Sequence, residues 1–338
     1  TNRVVLDSEG NLLREDHYEG VQETGGRYTT EGLDLRESID VKSASERLVI
    51  NYEDGTTTRV TLDGSGNVIL EDRYDGVKER DGRFSAEGLE LKESVFLRSA
   101  TERLVISHEN QTTTLVTLDD QGAVIREDKY DGIQQAEGQY TTDGLELNET
   151  VDVKSLTERL VINHEEGTTT RVVMDAQGNV LREDRFAGVQ ESDGRFVTAG
   201  LVLEESVDVL SATERLVVNY EEQSTTRVQM DAQGNVVRED RYDGIQETDG
   251  RFTTGGLTLK KSIDVTSAGE RLVIDHEAGS TTRVVLDAQG RVVREDRFEG
   301  VRESDGRFTT QGLELSESVD VKSESLRLIV DHEKGTTT

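Results

Sequence analysis

The pentapeptide RVVLD at Arg3 returns as RVTLD at Arg59, LVTLD at Leu115, RVVMD at Arg171, RVQMD at Arg227 and RVVLD at Arg283, a fixed period of 56 residues. Repetition at such a period means one supersecondary unit built over and over, each too small to bury a core alone and completed by its neighbours. Six repeats occupy residues 1–56, 57–112, 113–168, 169–224, 225–280 and 281–336, and 337–338 begin a further one. The opening on TNRVVLD, inside the pattern, reads as a segment of something longer.

Each repeat reads as four strands. In the first they are TNRVVLD, the stretch from Asn11 through NLLREDHYEGVQE, the stretch from Arg27 in which Leu33, Leu35, Ile39 and Val41 alternate, and ERLVINYE from Glu46. Period-two patterning with β-branched residues between turn signals argues strand rather than helix. The turns DSEGN, ETGGR and YEDGT share two polar residues followed by Gly, the form of a three-residue hairpin loop with a left-handed residue in a bulge. The third of these joins the last strand of one repeat to the first of the next, so the repeats pair edge to edge. Gly20 and Gly32, which recur inside strands, predict that residues 20–30 form a hairpin tip bending out of the main sheet. Tyr18, aromatic in every repeat, is expected to cover Gly32 across the strands. The fold class is therefore all-β: six tandem four-strand repeats in a continuous antiparallel meander, read as an elongated, fibre-like array. Leu33, Leu35, Ile39, Val41, Leu48 and Ile50 are the expected core of each repeat.

Composition narrows the function classes. Hydrophobic residues make up 33% of the 338, aromatic residues 4%, and the net charge is −31, which repels nucleic acid and anionic lipid. No apolar run is long enough to span a membrane. The absence of Cys excludes a disulfide framework and thiolate chemistry.

The acids of the segment REDHYEGVQETGGRY (Glu15, Asp16, Glu19, Glu23) are the first candidates for chemistry. On an extended strand Glu15 and Asp16 point to opposite faces, and no calcium-loop spacing is present, so they read as a solvated, ion-paired hairpin with weak calcium binding as the only metal chemistry left. Asp7 and its equivalents precede a tight turn and read as acceptors for turn amides. His108, His164, His276 and His332 share their position with Tyr52 and Tyr220, which argues against a metal ligand or proton relay. Arg47, Arg103, Arg159, Arg215, Arg271 and Arg327 read as partners of the Glu53 series, the sharper alternative being a row reading an acidic glycan. The threonines of TTTR and YTT suit strand surfaces, with ice or sugar binding as the alternative. No catalytic, cofactor-binding or metal residue is assigned, and the chain reads as a non-enzyme.

The stretch GTTTRVVMDAQGNVLRED, Gly167 to Asp184, resembles the YD repeats of bacterial RHS-type secreted proteins over about a third of each repeat, although their Tyr before the Asp is here Leu6 or Met174. The resemblance implies an extracellular bacterial β-structure and carries over no functional residue. These observations lead to the expectation of a mechanical protein at the cell surface or outside the cell: a filament, stalk or adhesin shaft that self-associates along the array or end to end. The alternative is a six-bladed β-propeller binding a glycan or other ligand, against which the tight hairpins between repeats argue.

Overall fold

The computed structural model of the chain describes residues 1–323 and 326–338. Among them every regular element is a strand, and twenty-five strands form antiparallel sheet in meander order. The chain divides into two compact units, Thr1–Lys154 with Leu160–Gly167, and Ser155–Arg159 with Thr168–Thr338.

The first repeat sets the pattern. Strand β1 (Asn2–Leu6) pairs with β2 (Leu12–Tyr18). A separate hairpin follows, β3 (Gln22–Thr24) against β4 (Arg27–Thr29). Strand β5 (Leu35–Ser43) then returns to pair with β2, β6 (Glu46–Asn51) pairs with β5, and β7 (Thr56–Leu62), the first strand of the next repeat, pairs with β6. Strand β8 (Val68–Asp75) continues the series, and β9 (Glu79–Arg80) with β10 (Arg83–Phe84) is the next small hairpin. In the second unit the same order runs from Thr168–Met174 to Leu326–Asp331.

Local chemistry explains each departure from the plain ladder. The turn after β1 is the expected bulged loop: Gly10 sits at φ 88° and the Asp7 and Asn11 backbones exchange a hydrogen bond of 2.9 Å. The hairpin tip differs from expectation. Thr24 pairs directly with Arg27, and both loop residues are left-handed (Asp81 at 53° and Gly82 at 78° in the second repeat), which is a two-residue type I′ turn. Tyr18 also lies opposite Leu35 rather than Gly32, because the ladder bulges at His17/Tyr18 and the chain leaves the sheet at Gly20 and Gly32, both at positive φ.

The small hairpin is what makes a core possible. That of the second repeat lies over the sheet of the first, where Phe84 packs on Leu48 and Ile50, all three at most 2% exposed. Burial of each such side chain stabilises by roughly 1.5–3 kcal/mol. The same contact recurs with Tyr140 on Leu104 and Ile106, Phe252 on Leu216 and Val218, and Phe308 on Leu272 and Ile274. The expected core is thus split between two faces. Ile39 and Val41 stand opposite Val49 and Arg47, on the far side of the sheet from Leu48 and Ile50, and stay half-buried. In the first hairpin the equivalent aromatic, Tyr28, is 77% exposed.

Candidate functional site

Two recurrent constellations stand out: a buried polar stripe under the hairpin and a polar cleft on the opposite face.

The stripe is built from strand register. Asp16 of β2 faces Ser38 of β5, and Ser38 faces Ile50 of β6, so a carboxylate and a hydroxyl enter the covered face beside the apolar pair. Asp16 is fully buried, between Arg3, Arg14 and Ser38. Burial raises its pKa, but the hydrogen bonds from Ser38, Arg14 and Arg3 outweigh it and hold the carboxyl below the usual range. The expectation of solvated acids therefore needs correction for the Asp16 series, while Glu15, on the other face, fits it. The signal was present: Asp recurs at this position and Ser or Thr at the Ser38 position in all six repeats.

In the second repeat the stripe brings together the residue types of a hydrolytic triad. Ser94 Oγ donates to Asp72 Oδ1 at 2.6 Å and lies 2.9 Å from His108 Nε2. The order is wrong for nucleophilic catalysis, which needs the His between Ser and Asp. Here the serine proton goes to the carboxylate, so His108 Nε2 must carry a proton and donate to Ser94. Tyr220 OH takes the same place beside Ser206 at 3.3 Å in the fourth repeat. That shared donor role explains why His and Tyr interchange. Burial lowers the pKa of His108, His164 and His276, favouring the neutral ring.

A second carboxylate, Asp40, anchors the hairpin. It accepts the backbone N–H of Phe84 at 2.9 Å and ion-pairs with Lys42 at 2.8 Å and Arg83 at 2.9 Å. Arg14 reaches Glu79 of the hairpin at 3.0 Å and lies over the Phe84 ring at 4.5 Å. The middle threonine of TTT is buried rather than displayed: Thr57 Oγ1 donates to the carbonyl of Gly76, where the hairpin leaves the sheet, at 2.9 Å.

The turn aspartates behave as expected. Asp7 Oδ1 accepts the N–H groups of Glu9 and Asn11 at 2.8 Å each, and the hydrogen bonds from the Asn11 side chain and backbone, then those of the neighbouring turn amides, lower its pKa. The Arg47 reading is corrected. Arg47 stands between Val41 and Val60, while the cation beside Glu53 is Arg36 at 3.9 Å, because Arg36 at the bulge reaches past the strand end. Among the described residues no group of His, Asp or Glu side chains is placed to hold a metal ion.

The clefts lie on the other face. In the second repeat Arg73, Glu93 and Ser107 stand opposite one another across three strands, and with Lys92, Glu109 and Tyr74 they line a cleft of about 340 Å³. The equivalent residues recur around clefts in the fourth repeat (Arg185, Glu205, Asn219, Glu221) and the fifth (Arg241, Lys261, Asp275, Glu277). A basic residue stands at the first of these positions and Glu at the last in the sequence of every repeat, His17 replacing Arg in the first.

No family model and no curated protein matches this chain. Among solved structures it is similar to a porin-like protein of Bacteroides uniformis (9% identity, 80% of this chain and 91% of that one, TM-score 0.17). It is similar also to the periplasmic gluconolactonase of Pseudomonas aeruginosa (12%, 97% and 98%, 0.16) and to the β-propeller domain of Swd1 from Myceliophteria thermophila (8%, 95% and 98%, 0.16). These findings correct the expectation of a filament, stalk or adhesin shaft, since the three proteins are described as porin-like, a gluconolactonase and a propeller, and none of them as a fibre. The physical reason is that turn chemistry and strand pairing fix local hairpins, which fibres and propellers share. At these TM-scores the likeness supplies neither ligand nor reaction.

Proposed function

We propose that the chain is a non-catalytic binding protein that takes a neutral, hydroxyl-rich polymer, a glycan, at the polar clefts of successive repeats. The observation that carries this reading is the recurrence of one cleft, with a cation on one wall and a carboxylate on the other, in the second, fourth and fifth repeats. Hydroxyl groups donate and accept at once, and each cleft offers both functions: guanidinium or ammonium donors such as Arg241 and Lys260, and acceptors such as Asp275 and Glu277. The net charge of −31 disfavours an acidic polymer. This is the ligand-binding alternative moved from a propeller axis to the open face of the sheet. An extracellular setting, as the YD-repeat resemblance implies, belongs to the same proposal.

Four strands separate equivalent clefts, a spacing of about 19 Å at 4.7–4.9 Å per strand. A ligand long enough to reach from the fourth-repeat cleft to the fifth gains by effective concentration, whereas a short one does not. Calorimetry with linear neutral oligosaccharides of graded length is the test. Affinity should rise steeply once the ligand spans two clefts, and Glu221→Ala combined with Glu277→Ala should remove that rise. Absence of binding at every length, or binding indifferent to both substitutions, overturns the proposal.

A further inference from the structure

The covered face holds a cavity that neither the polar stripe nor the clefts use. It opens between the sheet of the first repeat and the segment that follows the second hairpin, and its volume of about 540 Å³ is that of a small-molecule site. Leu48, Tyr74 and Phe84, all buried, form its floor together with Leu89. Ser85 and Ala86 form one wall, where every other repeat carries Thr-Thr or Val-Thr, so the side chains on this wall are the smallest in the chain. The rim differs too. In later repeats a Glu at the start of the last strand (Glu158, Glu214, Glu270) pairs with an Arg of the strand that follows (Arg171, Arg227, Arg283), at 2.9 Å for Glu158 and Arg171. Here Arg59 turns instead to Asp72, its Nε 3.2 Å away, and lies over the Tyr74 ring at 5.7 Å. Glu46 is left on the rim with no ion pair among the described residues.

We propose that this cavity binds a small hydrophobic amine, an ammonium group joined to an aromatic ring or a short alkyl chain. The apolar floor takes the body of the ligand and Glu46 takes its charge. An ammonium leaving water needs an anionic partner, and Glu46 is the rim carboxylate that is both half-buried and unpaired, whereas Glu87 is exposed. The net charge of −31 adds long-range attraction for a cation. The two rim cations do not turn the site toward an anion. Lys42 is held by Asp40 at 2.8 Å and by the Phe84 carbonyl, and Arg59 is held by Asp72. Both of these acids are buried, so an anionic ligand that drew either cation away would strip a buried carboxylate of its partner. The cavity shares only Tyr74 with the cleft of the second repeat, and a ligand here leaves the cation and carboxylate of that cleft untouched.

Calorimetry of the 338-residue chain with phenethylammonium, phenethyl alcohol and phenylacetate, probes of similar size and different charge, tests the proposal. Phenethylammonium should bind at one site per chain and about tenfold more tightly than either of the others, the gain of one charge-assisted hydrogen bond. Glu46→Gln should bring the amine down to the level of the alcohol. Ser85→Thr combined with Ala86→Thr, the pair most repeats carry at these positions, should fill the cavity and abolish binding. Its thermal midpoint should stay near that of the parent, which separates a closed cavity from a lost fold. No binding of the amine, phenylacetate bound as tightly as the amine, or an amine affinity unchanged in either variant overturns the proposal.

Discussion

The first and second repeats seat their hairpins with the same backbone geometry and different chemistry. On the first, Arg14 and Asp40 hold Glu79, Arg83 and the Phe84 amide. On the second, the equivalent positions are Leu70 and Phe96, the hairpin carries Gln135 and Gln139, and the seat is an apolar cluster around Tyr140. Four positions on two repeats change together, as residues in contact do. The aromatic plug is common to both seats and supplies the burial; the four positions around it are ionic in the first seat and uncharged in the second. Buried ion pairs behave this way because desolvation offsets most of their attraction, so a well-packed apolar set can replace them, whereas half a set cannot stand.

The largest effect expected is at the shared element. Phe84→Ala should cost about 4 kcal/mol in urea unfolding, as truncation of a buried aromatic does, and should remove hydrogen-exchange protection from Leu48 and Ile50. Tyr140→Ala should do the same to Leu104 and Ile106. If either repeat keeps its protection, the plug is not what the two seats share.

Breaking the ionic seat comes next. Asp40→Ala leaves Arg83 and Lys42 facing a buried gap and should cost about 3 kcal/mol. Converting the whole first seat to the second type (Arg14→Leu, Asp40→Phe, Glu79→Gln and Arg83→Gln together) should return stability to within about 1 kcal/mol of the parent. An additive loss across the four would mean that the positions do not form one set.

A smaller difference separates the turns that follow. Gly55 closes the first repeat at φ 64°, whereas Gln111 holds φ 54° in the second, its side chain tied back to the His108 carbonyl at 2.7 Å. Gln111→Gly should stabilise by about 1 kcal/mol, the cost of a left-handed residue with a Cβ. Gly55→Gln should lose as much, read as a shift in unfolding midpoint.

The smallest effect depends on pH. Burial lowers the His108 pKa in the folded state, so the unfolded chain binds the extra proton first. Stability contributed by the neutral ring is present above the unfolded value of about 6.5 and declines as pH falls from there toward the lower folded pKa. Tyr52 has no such step. His108→Tyr should therefore flatten the pH dependence of the urea midpoint between neutral and mildly acidic pH, and Tyr52→His should steepen it. Equal slopes in parent and His108→Tyr would show that the imidazole is not the neutral donor to Ser94.

Much of the architecture was written in local sequence. Glycines at fixed places and alternating Leu, Ile and Val set the strands, the edge-to-edge pairing of repeats and the out-of-plane hairpin, because turn conformation and side-chain parity are short-range properties. The split of the expected core was less visible. Ile39 and Leu48 are equally apolar, and only the register Ile39↔Val49 and Asp40↔Leu48 tells which face each joins. Burial of Asp16 was legible only as recurrence, since nothing in the composition distinguishes a solvated carboxylate from one enclosed by Ser38 and two arginines. By itself the sequence determined the 56-residue unit, its strands and its turns. Tertiary structure alone decided that a hairpin from one repeat becomes the lid of the previous one, because that contact joins residues more than thirty positions apart through side chains whose partners exist only once the sheet has formed. It also assigned Arg14, Asp40 and Phe84 to one seat and Arg73, Glu93 and Ser107 to one cleft, because cross-strand register, not proximity along the chain, brings them together.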